Sequence, residues 1–120
     1  MGNVRESLAK LVEVDGFIAA CLVDSESGMM LGSEGGANFN LEVAAAGNTE
    51  VVRAKRKVAK ALNLRDDIED ILITLGKQYH LIRPMRTKPT FFFYLAVDRA
   101  RANLAMARMR VADIEKDIVL

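Results

Sequence analysis

The chain has 120 residues, 51% of them apolar and 28% charged, and a net charge of +1. That length buries a core without staples, and the near-zero charge excludes a global field that would gather nucleic acid or an anionic membrane. A single cysteine, Cys21, excludes an intramolecular disulfide framework and fits a reducing compartment. The Met-Gly-Asn-Val-Arg-Glu start has no apolar h-region, and no later run reaches the ~18 apolar residues of a membrane span. Met-Gly-x-x-x-Ser acylation is not expected either, because Glu6 occupies the serine position. One domain over residues 1–120 of a soluble cytoplasmic protein is the expectation.

The first helix is predicted from Asn3 to Val14. Asn3 caps it, Glu6 reaches back to the cap amide, and Val4, Leu8, Leu11 and Val12 form one apolar face. Asp15-Gly16 ends it, with Gly16 in the left-handed conformation. Phe17–Val23 is apolar throughout and reads as a strand buried on both faces. Asp24 to Gly28 forms a turn into a return strand over Met29–Leu31. Gly32 to Asn40 reads as a glycine-rich loop. Asn40, with Glu42 in the first turn, caps a long helix that extends to Leu62 or Asn63.

A strand beginning near Ile68 and centred on Ile71–Leu75 follows, then a two-residue Gly76-Lys77 hairpin and a second strand, Tyr79–Met85. Pro84 to Pro89 is a basic turn whose prolines suit a strand end. Phe91–Val97 is a strand enclosed on both sides. A last helix, Asp98 to Lys116, is capped by Asp98, with Asn103 tying its first turn to a neighbouring strand. Leu104, Ala107, Val111, Ile114 and Ile118 form its apolar stripe. Two strands, then three, interleaved with helices, predict an α-β-β-α-β-β-β-α three-layer sandwich around a five-stranded antiparallel sheet. The terminal helices are expected on one face and the middle helix on the other.

No catalytic or metal constellation accompanies this layout. His80 is the only histidine, and no cysteine stands at ligand spacing to it, so no metal site or cofactor is expected. A Cys21–His80 nucleophile pair lacks a residue to orient the base, and a thiol in an apolar strand behaves as a small hydrophobe. Gly32, Gly35 and Gly36 precede a helix without the Gly-Lys-Ser/Thr ending of a phosphate loop, so no nucleotide site is read there.

The middle helix is the informative element. Leu41, Ala44, Ala45, Val51, Val52, Ala54, Val58, Ala59, Ala61 and Leu62 cover more than the ~100° that one sheet face needs, and Gly47 lies among them. Either that width meets a second copy or the helix only lies on its own sheet; the width favours the second copy. Arg53, Lys55, Arg56, Lys57 and Lys60 put five positive charges within eight residues. They read first as a solvated face and next as contact with an acidic protein, with Arg53, Arg56, Lys57 and Lys60 as the candidate partner surface. Nucleic acid is the weakest reading, because no aromatic residue interleaves the charges.

The chain resembles a roadblock / dynein light chain domain, of the bacterial and archaeal kind that includes gliding-motility regulators of Ras-like GTPases. The resemblance is carried by Val14-Asp15-Gly16 before an apolar strand and by the Asp24-x-x-x-Gly28 turn into Met29. It continues through Tyr79-His80-Leu81-Ile82-Arg83-Pro84, Phe92 to Arg99, and Ala102-Asn103-Leu104-Ala105-x-Ala107-Arg108. It implies a profilin- or roadblock-like, non-enzymatic homodimeric adaptor whose middle helix and middle strand of the second group form the dimer contact. Its partner would be a small Ras-like GTPase or a motor or signalling complex.

With the family's strand order, Ile71–Leu75 becomes an apolar edge without proline or lysine, which is an aggregation hazard unless it pairs with its copy. The expected dimer residues are thus Leu41, Ala44, Ala45, Val51, Val52, Val58, Ile71, Leu72, Ile73 and Leu75. Arg86 in the basic turn is the sole arginine-finger candidate. The rival is a profilin-like small-molecule sensor, which needs a pocket of roughly 300 Å3 lined by the Phe91–Tyr94 region.

Overall fold

In the computed structural model, which describes residues 3–120, Asn3 caps α1 (Val4–Leu11) by accepting from the Glu6 amide at 2.8 Å. The Met1-Gly2 start weighed for acylation lies outside the described residues. Glu6 meets the Asn3 side-chain amide, not its backbone, and α1 ends a turn earlier than its apolar spacing suggests. Gly16, at φ 79°, makes the left-handed reversal into β1 (Phe17–Asp24).

β2 (Met29–Gly35) is longer than expected: the Gly-Ser-Glu-Gly stretch read as a loop extends the strand. α2 (Leu41–Ala61) is capped by Asn40, whose Oδ1 accepts from the Val43 amide at 3.1 Å. Residues 64–70 are irregular, so β3 (Ile71–Thr74) starts later than Ile68. The Leu75 amide donates to the Gln78 carbonyl at 2.9 Å, which closes the Gly76-Lys77 hairpin into β4 (Gln78–Pro84). β5 (Phe91–Asp98) follows.

The last helix is the clearest correction. Asp98 does not cap it; its carboxylate accepts from the Ala100 amide and its carbonyl from the Ala102 amide, which closes a separate turn. Asn103 is the cap of α3 (Leu104–Asp117), accepting from the Met106 amide at 3.1 Å, and its side chain makes no hydrogen bond to a strand among the described residues. Both residues are good caps, and the one adjacent to the apolar stripe takes the role.

The sheet is antiparallel throughout, in the order β2-β1-β5-β4-β3. Alternation divides β5 between two cores. Phe93, Leu95 and Val97 pack with Leu8 and Leu11 of α1 and Ala107, Val111 and Ile114 of α3. Phe92, Tyr94 and Ala96 face Leu41, Ala45 and Val52 of α2. The terminal helices thus share one face and α2 takes the other, as connectivity requires. Each fully buried Phe, Leu or Val contributes about 1.5–3 kcal/mol.

Two ion pairs fasten the periphery. Arg83 Nε meets Glu115 Oε1 at 2.7 Å in a buried contact, and Glu115 Oε2 accepts the Arg86 amide at 2.7 Å, so α3 holds the turn after β4. Arg108 binds both oxygens of Asp70 at 2.8 and 3.0 Å, which ties the irregular 64–70 segment to α3.

Gly35 ends β2 at φ +71°, where a Cβ would lie 2.6 Å from both the Ile18 carbonyl and the Phe17 ring. Gly35→Ala is expected to destabilise by about 1–3 kcal/mol, read as a lower urea midpoint. An unchanged midpoint would contradict this geometry.

Candidate interaction surface

Strand order leaves two edges, β2 and β3. β4, the middle strand of the second group, is hydrogen-bonded on both sides, to β5 and β3, and so has no free backbone to pair across a dimer axis. The middle strand could therefore meet a second copy only through the side chains on its face, not by backbone pairing. The free edge in this half of the sheet is Ile71–Thr74. Its register with β4 (Ile71 opposite Ile82, Ile73 opposite His80) puts Ile71 and Ile73 on the α2 side. Leu72, opposite Leu81, points to the α1–α3 side.

α2 packs chiefly on β1 and β2. The same face of β3 and β4 therefore carries little helix, and Ile71, Ile73, Gln78 and His80 are only half-buried there. α2 itself has two apolar stripes. Leu41, Ala45, Thr49 and Val52 are buried against the sheet. Val43, Gly47, Val51, Ala54, Val58 and Leu62, at i, i+4, i+8, i+11, i+15 and i+19, run along another side of the helix. Val43 is 65%, Val58 47% and Leu62 63% exposed.

The ten residues expected at a dimer contact therefore divide. Leu41, Ala45 and Val52 are consumed by the chain's own core and offer no surface. Ala44 and Val51 lie half-buried at its margin. Val58, Leu72 and Leu75 are exposed, and Ile71 and Ile73 are half-exposed at the edge. Val43 escaped the sequence reading, although its i, i+4 relation to Gly47 marks the outer stripe.

The four basic candidates divide as well. Arg53 donates to the Glu26 carbonyl at 2.7 Å and also meets Glu50. Arg56 donates to the Pro89 carbonyl, and burial lowers its pKa below the ordinary value while Asp67 opposes the shift. Both arginines thus brace neighbouring turns. Lys57 and Lys60 are exposed and form no ion pair among the described residues. Arg86 is exposed at the tip of its turn, with its backbone fixed by Glu115.

His80 belongs to a small polar chain on the thinly covered face. Its Nε2 lies 2.7 Å from Gln78 Oε1 and its Nδ1 3.1 Å from the Tyr94 hydroxyl. Because an amide oxygen only accepts, the neutral ring carries its hydrogen on Nε2 and accepts from Tyr94 at Nδ1. The rings of Phe39 and Tyr94 pack about it, with Tyr94 edge-on at 5.4 Å. Burial raises the Tyr94 hydroxyl, so it stays a donor. Burial also pushes the Cys21 thiol up to about 12, which removes the thiolate a nucleophile needs.

No family model matches the sequence, and no curated protein matches it. Solved structures do. MglB of Myxococcus xanthus superposes with a TM-score of 0.82 at 16% identity, over 94% of this chain and 89% of that one. A roadblock/LC7 domain from Streptomyces avermitilis gives 0.82 at 14%, over 96% and 93%. An MglB described in a tetrameric arrangement gives 0.79 at 15%, over 94% and 82%. This is the roadblock fold.

Within this roadblock fold, Gly32 and Gly35 lie in β2, not in a loop that could cradle phosphate. Phe92, Phe93 and Tyr94 are fully buried, so the aromatic run that the rival sensor reading needs as a cavity lining is packed into the core. Two open surface recesses lie elsewhere. One of about 640 Å3 runs between α1, β2 and Val119-Leu120; the other, about 560 Å3, lies between α2, the 64–69 segment and the Pro84–Pro89 turn. Among the described residues, no His, Cys, Asp and Glu cluster suits a metal ion, and no helix is long and apolar enough to cross a membrane.

Proposed function

We propose that this roadblock chain is a homodimeric adaptor, without chemistry of its own, that binds and regulates a small Ras-like GTPase in the cytoplasm. One observation carries the reading: an unpaired apolar strand edge, Ile71–Thr74, beside a sheet face with little helix over it. A second copy pairing antiparallel at that edge would satisfy the free backbone groups, and the outer α2 stripe around Val43, Val51 and Val58 would be covered with it. The tetrameric arrangement described for one MglB is consistent with a fold that self-associates.

The GTPase as partner follows from the resemblance to gliding-motility regulators together with the likeness to MglB. Regulation on this reading works by surface: the paired sheet and helices hold a GTPase, and the catalytic groups belong to that GTPase. Lys57 and Lys60 would meet acidic groups on it.

The test is to incubate the purified chain with small Ras-like GTPases loaded with GDP or a non-hydrolysable GTP analogue. Complex formation in one nucleotide state only, seen by analytical ultracentrifugation, is the expected result. Binding to none of them in either state, with hydrolysis rates unchanged, would overturn the reading.

A further inference from the structure

We infer that His80 is an acid-sensitive element of the pairing surface: a neutral imidazole lets a second copy cover the β3–β4 face, and a protonated one opposes it. The inference rests on the self-association proposed above and adds a regulation that neither the fold nor the edge strand entails.

The geometry is specific. His80 stands directly opposite Ile73 of the edge strand, one strand in from the rim, on the α2 side of the sheet. Both ring nitrogens are engaged in the neutral form, Nε2 as donor to Gln78 and Nδ1 as acceptor from Tyr94. Protonation puts a hydrogen on Nδ1, where it meets another donor. The fully buried Tyr94 hydroxyl must then turn its own hydrogen away and lose its acceptor.

The groups facing the ring are Tyr94 from β5, Ile73 from β3, Gln78 from β4 itself and Phe39 from the segment before α2. Cys21 of β1 lies opposite Tyr94, and burial holds both of these neutral. No carboxylate among the described residues pairs with the imidazole, so nothing compensates a charge there. Burial alone already holds the ring below its ordinary pKa in the single chain.

The sign follows from linkage. Covering the face removes the ring further from water, which costs the charged form more than the neutral one. The paired state therefore binds fewer protons than the free chain. Association is at full strength at neutral pH and weakens as pH falls through the His80 pKa of the free chain, below about 6.5. One pK unit of difference between free and paired chain gives about a tenfold loss of affinity per ring at low pH.

Two measurements test this. Sedimentation equilibrium at pH 7.5 and pH 5.0 is expected to show at least about tenfold weaker association in acid for the native chain, and none of that loss for His80→Gln. Because His80 is the only histidine, its proton resonances need no assignment, and their NMR titration midpoint is expected to fall as protein concentration rises. The second measurement stands even if the variant fails to fold. Association equal at both pH values, an equal loss in His80→Gln, or a titration midpoint independent of concentration overturns the inference and leaves pairing intact. A chain that stays monomeric at pH 7.5 and high concentration overturns the pairing and the inference with it.

Discussion

Arg83→Met is expected to lower the unfolding free energy by about 3–5 kcal/mol, read from urea unfolding followed by circular dichroism. Arg83 and Glu115 are each only 8% exposed, and their contact at 2.7 Å joins the end of β4 to the last turns of α3. Removing the guanidinium leaves a buried carboxylate whose remaining partner is the Arg86 amide. A single amide does not replace a positive charge in that position. The double variant Arg83→Met with Glu115→Leu removes both charges and is expected to regain most of the loss, because a pair of this kind is often matched by apolar side chains of similar volume. A loss below 1 kcal/mol in the single variant would mean that the carboxylate finds water, and the buried pair would then carry little of the fold.

Ile73→Lys is expected to convert the proposed dimer into single chains or insoluble protein. Ile73 lies at the centre of the free strand, so a two-fold axis there would bring the new ammonium close to its own copy. Like charges forced together across an interface cost several kcal/mol, which amounts to a rise in dissociation constant of at least about 100-fold. Ile73 also packs against the α2-side core, so folding itself is at risk in this variant. Val58→Glu separates the two effects, because Val58 is exposed on the outer stripe of α2 and supports none of the monomer's core. Light scattering and sedimentation measure both. If the two variants remain soluble and dimeric, pairing through this edge and helix is wrong.

Much of the architecture was legible because local signals agreed with each other. Asn3 and Asn40 cap the helices they were expected to cap, Gly16 turns the chain into β1, and the unbroken apolar run Phe91–Val97 is the central strand β5. The errors have local causes. Gly-Ser-Glu-Gly looked like a loop because glycine and short polar residues dominate it, but an edge strand needs few buried side chains and tolerates them. Asp98 competed with Asn103 for one cap, and helix propensity does not separate two good capping residues five positions apart.

The candidate surface was less legible. Breadth of the apolar face on α2 pointed to a second contact, yet sequence alone does not tell which stripe meets the chain's own sheet. Leu41, Ala45 and Val52, the most core-like of the candidates, are the ones turned inward. The Arg83–Glu115 pair was missed although a hint existed: Glu115 follows Ile114 inside the apolar stripe of α3, where a carboxylate requires a partner.

The two rims of the sheet are unlike each other. β3 is four residues, apolar and regular, whereas β2 shifts register opposite Leu22/Val23 and carries Gly32, Glu34 and Gly35. Bulges, charges and glycines of this kind blunt a strand against further addition. Two copies joined at the apolar rim would turn only bulged rims outward, so extension of the sheet would stop at a pair, and the same backbone that invites one neighbour would refuse growth into a fibril.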